Sequence, residues 1–477
     1  MRRLNARQAD RAAGALLGAA VADALGVPYE YGSRPLEEQP RMHGGGLGGY
    51  APGQWSDDTE MTVCLARVAA TGLDLRTEDA LNAIADGFRG WYADDPPDIG
   101  TQTRRVLGEA AGRGGTAADL TGIAARLHAE TGRTGGNGSL MRTAPVALAH
   151  LGDPAAIAGA ARAVSALTHH DPVAGDACVL WCSAIEHAVR TGTLDVRSGL
   201  PHVDAAFWGP LLDQAERVGP EHYAGNNGWV VAALLAAWSA VSRASSYVDG
   251  VVRAVDGGGD TDTVAAIAGA LLGARYGGSL VPARWRRLVH GWPGLRARDL
   301  VRLALLTAEG GGTDADGWPS APVIPSYAGV PEIVRAHPDD GGVLLGSVGA
   351  LRPGVADAVV SLCRLGGKQV PVTEDPRDHV EFWLVDQEDA NNDVAAVVAD
   401  AAEMVKTLRE EGKSVFVHCV HAQTRTPLVA AAYGSLVTGS SFTESLRRVR
   451  NVLPAASPRS SLVRLLRQAH DGRGLDG

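Results

Sequence analysis

The sequence predicts two domains of different fold class: an all-α domain, followed by an α/β domain with a mostly parallel central sheet. Ala- and Leu-rich helical segments fill residues 7–310, and few alternating β-branched runs interrupt them. Farther along the chain, short apolar strands alternate with helices, which is typical of an α/β layer. A stretch with the composition of a linker separates the two regions. We therefore predict domains at 1–312 and 341–477, joined by a linker at 313–340.

The helices of the first domain are predicted from apolar residues at helical spacing. Loops rich in Gly, Pro and Asp join them, and the absence of a repeat of fixed period favours a globule over a solenoid. The predicted helices span residues 10–25, 59–72, 77–92, 139–150, 155–168, 173–191, 228–241, 260–276 and 296–309.

The second domain is predicted from short, strongly apolar strands, of which the later ones alternate with helices. This alternation favours a largely parallel sheet, because a parallel pair needs a crossover connection. The predicted strands lie at 342–346, 358–362, 381–386 and 414–418, and the predicted helices at 392–411, 426–437, 442–452 and 458–469.

Length, composition and charge exclude several classes of protein. The 477 residues exceed one ordinary domain, and 45% hydrophobic with 21% charged residues exclude a disordered chain and a disulfide-stapled miniprotein. A net charge of -10 without a long basic run makes nucleic acid an unexpected partner, retained only as a class of modified substrate. Five scattered cysteines fit a reducing compartment, so we expect a cytoplasmic protein.

The N-terminal residues resemble a signal peptide only in part. Arg2 and Arg3 precede an apolar stretch at 12–27, but Asp23 interrupts it and no small-residue cleavage site follows. No segment reaches the roughly 18 consecutive apolar residues that a membrane span needs. We therefore expect neither a signal peptide nor a membrane partner.

Two clusters of oxygen-bearing side chains stand at the starts of predicted helices. Residues 55–59 read Trp-Ser-Asp-Asp-Thr, and residues 257–263 read Gly-Gly-Gly-Asp-Thr-Asp-Thr. One such cluster is ordinarily a helix N-cap. Two clusters exceed what capping requires, because packed carboxylates repel one another unless cations hold them. Oxygen ligands without His or Cys suit Mg²⁺, Mn²⁺ or Ca²⁺ rather than zinc.

Together with further motifs, these clusters resemble the ADP-ribosylglycohydrolase family over residues 8–310. The resemblance implies an all-α ADP-ribosylglycohydrolase-like fold with two Mg²⁺ or Mn²⁺ ions. It also implies a hydrolase that removes ADP-ribose from an ADP-ribosylated protein or another ADP-ribose conjugate. The motifs, in the family's order, are 14–18 (Gly-Ala-Leu-Leu-Gly), 23–30 (Asp-Ala-Leu-Gly-Val-Pro-Tyr-Glu), 55–59, 136–142 (Gly-Asn-Gly-Ser-Leu-Met-Arg), Thr168, His169 and Pro172, and 259–263.

The same resemblance implies roles for individual residues. Glu30 would be a mobile catalytic acid or base, and two metal ions would hold the ribose hydroxyls and activate a water. The implied metal ligands are Ser56, Asp57 and Asp58 for one ion and Asp260, Asp262 and Thr263 for the other. The implied ADP-ribose ligands are Asp23, Gly100, Thr101, Gly136, Asn137, Gly138, Ser139 and His169.

A cysteine in the second domain lies between an apolar strand and a helix. Residues 415–426 read Val-Phe-Val-His-Cys-Val-His-Ala-Gln-Thr-Arg-Thr, so Cys419 ends the strand and Arg425 begins the helix. Successive backbone N–H groups and a helix N-terminus favour an anion there and favour a thiolate. The Arg425 guanidinium is suited to clamp phosphate oxygens bidentately.

This segment resembles the signature of cysteine-dependent protein tyrosine and dual-specificity phosphatases, over residues 340–470. The resemblance implies an α/β phosphatase-like domain that acts on a phosphate monoester. The implied residues are Cys419 as nucleophile, Arg425 as phosphate clamp, Thr426 as an aid to thiolate departure, and Asp386, or else Asp389, as general acid.

Two residues depart from the phosphatase signature. Ala422 stands where that family usually has Gly, and His421 replaces a small residue. The loop must therefore accept a Cβ where close backbone approach is normal. A phosphatase-like domain that binds phosphate but turns over slowly is accordingly a second hypothesis beside an active one.

The leading hypothesis is a bifunctional, metal-dependent ADP-ribosyl hydrolase that carries a cysteine phosphatase-like domain. One alternative is a reader that binds ADP-ribose and phosphate without turnover. Another is a dinuclear-metal hydrolase of a different glycosidic bond, since one fold hosts many substrates. The cleaved linkage, the choice between Mg²⁺ and Mn²⁺, the oligomeric state and a shared substrate for the two sites all stay open at the level of sequence.

Overall fold

A computed structural model describes residues 3–112, 114–311 and 324–471 of the chain. The chain folds into two compact units, which we treat separately. The first unit comprises Met1–Val281 and Leu288–Thr313, and the second comprises Pro282–Arg287 and Asp314–Gly477. Residue 312 and residues 313–323 of the predicted linker lie outside the described residues.

The first unit is helical, as predicted, apart from a hairpin of two-residue strands, β1 (His290–Gly291) and β2 (Leu295–Arg296). Its helices in chain order are α1 (Ala6–Gly26), α2 (Asp57–Ala69), α3 (Glu78–Ala93), α4 (Thr101–Ala110), α5 (Ala117–Thr131), α6 (Ala144–Ala149), α7 (Pro154–Ala166), α8 (Pro172–Thr191), α9 (Ala205–Ala215), α10 (Val230–Ser242), α11 (Tyr247–Asp256) and α12 (Thr261–Tyr276). A short helix, α13 (Ala283–Arg286), belongs to the second unit, and α14 (Ala297–Glu309) completes the first.

Each helix predicted for the first domain has a counterpart, but the one predicted at 139–150 is shorter. Residues Asn137–Ser139 form a 3-10 turn instead, and the α-helix begins at Ala144. Helices α4, α5, α9 and α11 were not predicted: α4 is largely polar, and α9 contains Pro210, which argues against a helix. The capping box of Thr116 and Asp119 at the start of α5 is a sequence signal that predicts that helix.

Helices α1 and α12 approach closely along a row of glycines. A Cβ added to Gly14 would lie 2.1 Å from the carbonyl oxygen of Gly273, and one added to Gly18 would lie 2.5 Å from that of Gly269. At the end of α1, a Cβ on Gly26 would lie 2.5 Å from the Cα of Asp262. The missing side chains therefore bring the end of α1 directly against the acidic start of α12.

Helix α1, together with the 3-10 turn that continues it to Gly32, is apolar and long enough to cross a membrane by length and composition alone. Its apolar window is buried inside the unit. Two acidic side chains on it, Asp10 and Asp23, accept hydrogen bonds in the interior from Ser279 and Thr59. Buried carboxylates with such partners are typical of a core helix in a folded domain.

The second unit contains a five-stranded mixed sheet among its described residues, in the order β3-β4-β7-β5-β6. Strand β3 pairs antiparallel with β4, and the remaining pairs are parallel. The strands are β3 (Val334–Ala336), β4 (Val343–Ser347), β5 (Ala358–Ser361), β6 (His379–Glu381) and β7 (Val415–Cys419). The helices that accompany them are α15 (Val394–Glu410), α16 (Arg425–Thr438), α17 (Phe442–Val452) and α18 (Ser460–Asp471).

Two features of this unit differ from the prediction. Strand β3 lies inside the stretch 313–340 that was predicted as linker, so ordered sheet begins before residue 341. The strand predicted at 381–386 ends at Glu381, because β5 offers no further backbone partner beyond the bond from Phe382 N–H to Ser361. The side chain of Asn391 satisfies the following loop instead, through both backbone groups of Val385.

Candidate metal centre and cysteine loop

Asp23, in the last turn of α1, joins that helix to the start of α2. Its carboxylate accepts hydrogen bonds from Ser56 Oγ (2.8 Å) and Thr59 Oγ1 (2.6 Å), and from the N–H groups of both residues (3.0 and 3.1 Å). Burial raises the pKa of Asp23 to about 6, and these hydrogen bonds oppose the shift. The side chain is 0% exposed. Asp23 therefore holds Ser56 and the first turn of α2 in place, and its role in ADP-ribose binding stays a prediction.

The two acidic clusters meet at Asp58 and Thr263. Asp58 Oδ2 accepts hydrogen bonds from Ser56 Oγ (3.2 Å) and Thr263 Oγ1 (3.3 Å). Within the described part of the chain, the buried Oδ1 of Asp58 has no hydrogen-bond partner. Asp57 lies beside them and is half-buried, and burial together with nearby Asp98 raises its pKa well above the ordinary value.

A second group of carboxylates lies between the end of α1 and the start of α12. Oxygens of Glu30, Asp260 and Asp262 all lie within 4.8 Å of one another, and the three residues are buried. Burial, and then Asp260, raise the pKa of Glu30 to about 8. Burial, and then Glu30, raise the pKa of Asp262 well above its usual range. Like charges this close in an apolar interior are costly without a compensating cation.

These residues fit hard divalent cations. The available donors are carboxylate and hydroxyl oxygens, without His or Cys, which is the set that Mg²⁺ and Mn²⁺ prefer. Among the residues that the structure describes, no Lys or Arg forms an ion pair with Asp58, Asp260 or Asp262. A bound cation would therefore stabilise the unpaired oxygen of Asp58 and the clustered carboxylates, since no described Lys or Arg side chain neutralises them.

Asp260 is held by residues from three separate loops. Its Oδ2 accepts hydrogen bonds from Asn137 Nδ2 (2.7 Å) and Tyr31 Oη (3.3 Å), and its N–H donates to Asn227 Oδ1 (3.0 Å). Asn227 also donates to the carbonyl of Gly258 (2.8 Å). The sequence analysis missed Tyr31 and Asn227, because each looks like an ordinary loop residue until the fold brings it to Asp260.

His169 packs against the glycine loop at 136–138. A Cβ on Gly136 would lie 3.3 Å from His169 Nε2, and one on Gly138 would lie 3.2 Å from His169 Cε1, so both glycines make room for the ring. His169 Nδ1 lies 2.8 Å from Thr168 Oγ1, which accepts from the buried Arg142 Nη2 (2.7 Å). Burial, and then Arg142, lower the pKa of His169 to about 3. The ring is therefore neutral at physiological pH.

The other predicted ligand residues divide into two groups. Ser139 turns its hydroxyl into the core, where it accepts from Ser165 Oγ (2.9 Å), so only its backbone faces the loop. Gly100 and Thr101 form the exposed start of α4. Asp98, just before them, lies near enough to Asp57 and Glu30 to raise the pKa of both. Asp98 therefore joins the acidic centre, although the sequence analysis gave it no role.

The cysteine loop of the second unit connects β7 to α16. Cys419 is the last residue of β7, is 3% exposed, and is followed by a loop that reaches Arg425 at the start of α16. Ala422 within that loop is buried with a φ of 54°, in the left-handed region. For a residue with a Cβ that conformation costs roughly 1 kcal/mol or more. The loop therefore carries the backbone strain that we predicted from an alanine in place of the usual glycine.

Arg425, the first residue of α16, makes only part of the hydrogen bonds that its guanidinium can donate. Its Nη1 donates to the carbonyl of Leu384 (3.1 Å), while its buried Nε has no hydrogen-bond partner among the described residues. An orphaned buried donor at the start of the helix that follows the cysteine loop suits an anionic ligand.

The remaining predicted residues of the second unit lie as follows. Asp386 sits in the loop after β6, with Oδ1 at 3.6 Å from Arg459 Nε. Asp389 is exposed in a 3-10 turn. Thr426 is fully buried and donates to the carbonyl of Gly346 (3.3 Å). The hydroxyl of Thr426 is thus directed at β4, and its role in thiolate departure stays a prediction.

Comparison with known proteins agrees with the fold predicted for the first unit. The profile of the ADP-ribosylglycohydrolase family matches residues 4–314. The chain therefore belongs to the ADP-ribosylglycohydrolase family. It is 31% identical to the ADP-ribosyl-(dinitrogen reductase) glycohydrolase of Rhodospirillum rubrum, over 58% of this chain and 89% of that protein.

Two further comparisons concern the same region. The chain is 31% identical to the ADP-ribosylarginine hydrolase Tri1 of Pseudomonas putida, over 58% of this chain and 73% of that protein. A solved structure described as an ADP-ribosylglycohydrolase-related protein complex superposes with a TM-score of 0.51 and 30% identity, covering 64% of this chain and 99% of that one.

The second unit resembles dual-specificity phosphatases. The chain is 25% identical to dual specificity protein phosphatase 1 of Arabidopsis thaliana, over 30% of this chain and 76% of that protein. The resemblance predicted from the cysteine loop is therefore confirmed at the level of the domain.

Proposed function

We propose that the first unit is a metal-dependent hydrolase that removes ADP-ribose from ADP-ribosylarginine in a protein. The substrate class is supported by two relatives, whose names specify ADP-ribosylarginine and ADP-ribosylated dinitrogen reductase. The observation that carries the proposal is the convergence of Glu30, Asp260 and Asp262 within 4.8 Å beside the orphaned oxygen of Asp58.

Two Mg²⁺ or Mn²⁺ ions are proposed as cofactors. Such ions, when bound, orient hydroxyl groups of the ribose and lower the pKa of a bound water. Asn137 and Asn227 hold Asp260 in place, and Asp23 holds Ser56. The proposed ligands are Ser56, Asp57 and Asp58 for one ion and Asp260, Asp262 and Thr263 for the other.

The chain's own residues supply the remaining chemistry. Glu30 is proposed to transfer a proton between the attacking water and the leaving guanidine nitrogen as the C–N glycosidic bond breaks. Neutral His169 and the backbone of Gly136 and Gly138 are proposed to contact the ADP-ribose, because the imidazole ring packs against the two partly exposed glycines.

Release of free ADP-ribose from an arginine-ADP-ribosylated peptide tests this proposal. We expect release with Mg²⁺ or Mn²⁺, none with chelator, and a loss of at least about 100-fold in Asp262→Asn, on the scale of removing an electrostatic catalytic group. Asp79→Asn, which changes an exposed aspartate of α3, is the matched control. Equal release from a serine-ADP-ribosylated peptide would contradict the arginine assignment, and unchanged release in chelator would contradict metal dependence.

For the second unit we propose hydrolysis of a phosphate monoester through Cys419. The Cys419 thiolate attacks phosphorus and forms an S–P bond, the ester P–O bond breaks, and Asp386 protonates the leaving oxygen. Water then cleaves the S–P bond and releases phosphate. The unused Nε of Arg425 supports binding of the phosphate oxygens.

Turnover of para-nitrophenyl phosphate by the full chain tests this second activity. We expect turnover that Cys419→Ser abolishes, while ADP-ribose release by the same variant is unchanged. Phosphate binding without any turnover would instead favour a domain that only binds phosphate. The strained backbone at Ala422 is consistent with that second hypothesis.

A further inference from the structure

The segment Pro282–Arg287, which contains α13, belongs to the second unit, although the residues on both sides of it belong to the first. The remainder of the second unit begins only at Asp314. Two adjacent arginines at the end of the segment are largely buried: the side chain of Arg286 is 13% exposed and that of Arg287 is 9% exposed. Buried guanidinium groups need partners, so their contacts show which part of the second unit the segment holds.

The two arginines hold the two ends of β6, which is the last strand in the sheet order. Arg287 Nη2 lies 3.5 Å from the carboxylate of Asp378, directly before the strand. Arg286 Nη1 donates to the carbonyl of Glu381, the last residue of the strand (2.6 Å). The guanidinium carbon of Arg286 also lies 4.8 Å from the centroid of the buried Phe382 ring, a cation–π contact.

The peptide group between Glu381 and Phe382 is held from both sides. Its N–H donates to the carbonyl of Ser361 on β5 (2.9 Å). Because the N–H and C=O of a trans peptide point in opposite directions, the Glu381 carbonyl points away from β5 and toward Arg286. Strand β6 ends at this peptide group, and the loop that leads to α15 begins there. Arg286 therefore fixes the point from which that loop departs.

The loop that starts at Phe382 carries Asp386, the proposed general acid. Arg425 Nη1 donates to the carbonyl of Leu384 (3.1 Å). The side chain of Asn391 bonds both backbone groups of Val385 (2.8 and 2.9 Å). Arg286 thus holds the start of the loop, while Arg425 and Asn391 hold the part directly before Asp386.

We propose that Arg286 is a positioning residue for Asp386: it holds the first peptide group of the loop, so that the carboxyl group can reach the leaving oxygen of a phosphate ester. A segment that lies, in sequence, between two parts of the first unit thereby contributes to the candidate phosphatase site. The proposal rests on the proposed phosphatase activity in taking Asp386 as the general acid.

Leaving groups of different acidity test this role in the full chain. Phenyl phosphate releases a weakly acidic phenol, which needs a proton as the P–O bond breaks, whereas difluoromethylumbelliferyl phosphate releases a more acidic phenol, which needs it less. We expect Arg286→Ala to lower kcat/KM about tenfold for phenyl phosphate but less than about twofold for the fluorinated ester, a part of what general acid catalysis contributes. An equal loss for both esters overturns the proposal, because a general loss of folded protein has that effect.

Arg284→Ala is the matched control, because Arg284 is an exposed arginine of the same helix. It should leave kcat/KM for both esters unchanged, and a selective loss for phenyl phosphate in this variant as well overturns the proposal. Arg286→Lys retains a donor for the Glu381 carbonyl and should bring the ratio of the two kcat/KM values to within about threefold of that of the unmodified protein. This variant keeps the test decisive if Arg286→Ala fails to fold.

Hydrogen exchange of the full chain measures the anchoring of the loop without any substrate. We expect the amides of residues 382–391 to exchange about tenfold faster in Arg286→Ala than in Arg284→Ala, the effect of one hydrogen bond from a charged group. Equal exchange in the two variants overturns the proposal. A chain that turns over neither ester but shows the faster exchange refutes the phosphatase activity and supports the anchoring of the loop by Arg286.

Discussion

Thr263 Oγ1 lies 3.3 Å from Asp58 Oδ2, although 205 positions separate the two residues in the chain. The contact joins the first turn of α2 to the first turn of α12. Two helix N-termini thus point their positive ends at one cluster of oxygens, which favours the ionised carboxylates. The acidic centre is therefore built from helix ends that the glycine row of α1 and α12 brings together.

The first prediction concerns the close contact of glycines between α1 and α12. Gly273→Ala should destabilise the first unit by at least about 2 kcal/mol, as overpacking of a tight contact does, because the added Cβ would lie 1.9 Å from the carbonyl oxygen of Gly14. Thermal unfolding measures the effect. Gly122→Ala, in the open middle of α5, should instead stabilise by about 0.5–1 kcal/mol. Equal melting temperatures for the two variants would mean that α1 and α12 separate without cost.

Asn227→Ala should weaken metal binding, although it removes none of the proposed ligands. It removes the acceptor for the Asp260 N–H and the donor to the Gly258 carbonyl, so the start of α12 loses its support. Loss of such an outer contact typically lowers metal affinity about 10- to 100-fold. Calorimetric titration with Mn²⁺ measures it. Asn82→Ala, which removes a cap on α5, should bind Mn²⁺ like the unmodified protein, and a similar loss there would point to a general effect on folding.

Ala422→Gly should raise turnover of para-nitrophenyl phosphate. Glycine adopts the positive φ of position 422 without strain, so the loop can relax around the anion. The stability should change by less than about 1 kcal/mol, since relief of strain and the added freedom of the unfolded chain oppose each other. Ala430→Gly, inside α16, should cost about 1 kcal/mol without any gain in turnover. Unchanged turnover in Ala422→Gly would show that the loop geometry is not limiting.

The second unit should lose stability as the pH falls from about 6.5 to about 4. Burial lowers the pKa of His418 to about 4 in the folded state. Between about pH 6.5 and 4, His418 is therefore protonated in the unfolded chain but neutral in the folded state. By linkage the loss amounts to at most about 3 kcal/mol and is complete below the folded pKa. Burial also lowers the pKa of His337, which adds in the same direction. Hydrogen exchange of β7 amides should show a shallower pH dependence in His418→Gln, and an unchanged slope would assign the effect elsewhere.

The sequence was most informative where a pattern is local. Helices rich in Ala and Leu, and the two acidic clusters, were predicted close to their observed positions, because periodicity and helix starts are readable within a few residues. Helix α4 was missed because its polar composition hides a narrow apolar face, formed by Val106, Leu107 and Ala110.

Parts of the site that depend on distant contacts could not be predicted. Asn227 reaches Asp260 from another loop, and Tyr31 does so across 229 positions. The hydrogen bonds that Asp23 accepts from Ser56 and Thr59 could not be predicted either, because its own motif gives no sign of them. The end of β6 was placed too late, since apolar residues after Glu381 satisfy their backbone through Asn391 rather than through a strand.

The contact between Asp23 and α2 has a consequence for the order in which the centre is assembled. Ser56 occupies the N-cap position of α2 but makes no capping hydrogen bond with its side chain, and Asp23 of α1 binds the N–H groups instead. Helix α2 therefore receives its cap from a segment 33 positions earlier in the chain. We therefore expect a nascent or partly unfolded chain to lack the proposed cation site, so that binding of metal would follow the docking of α1.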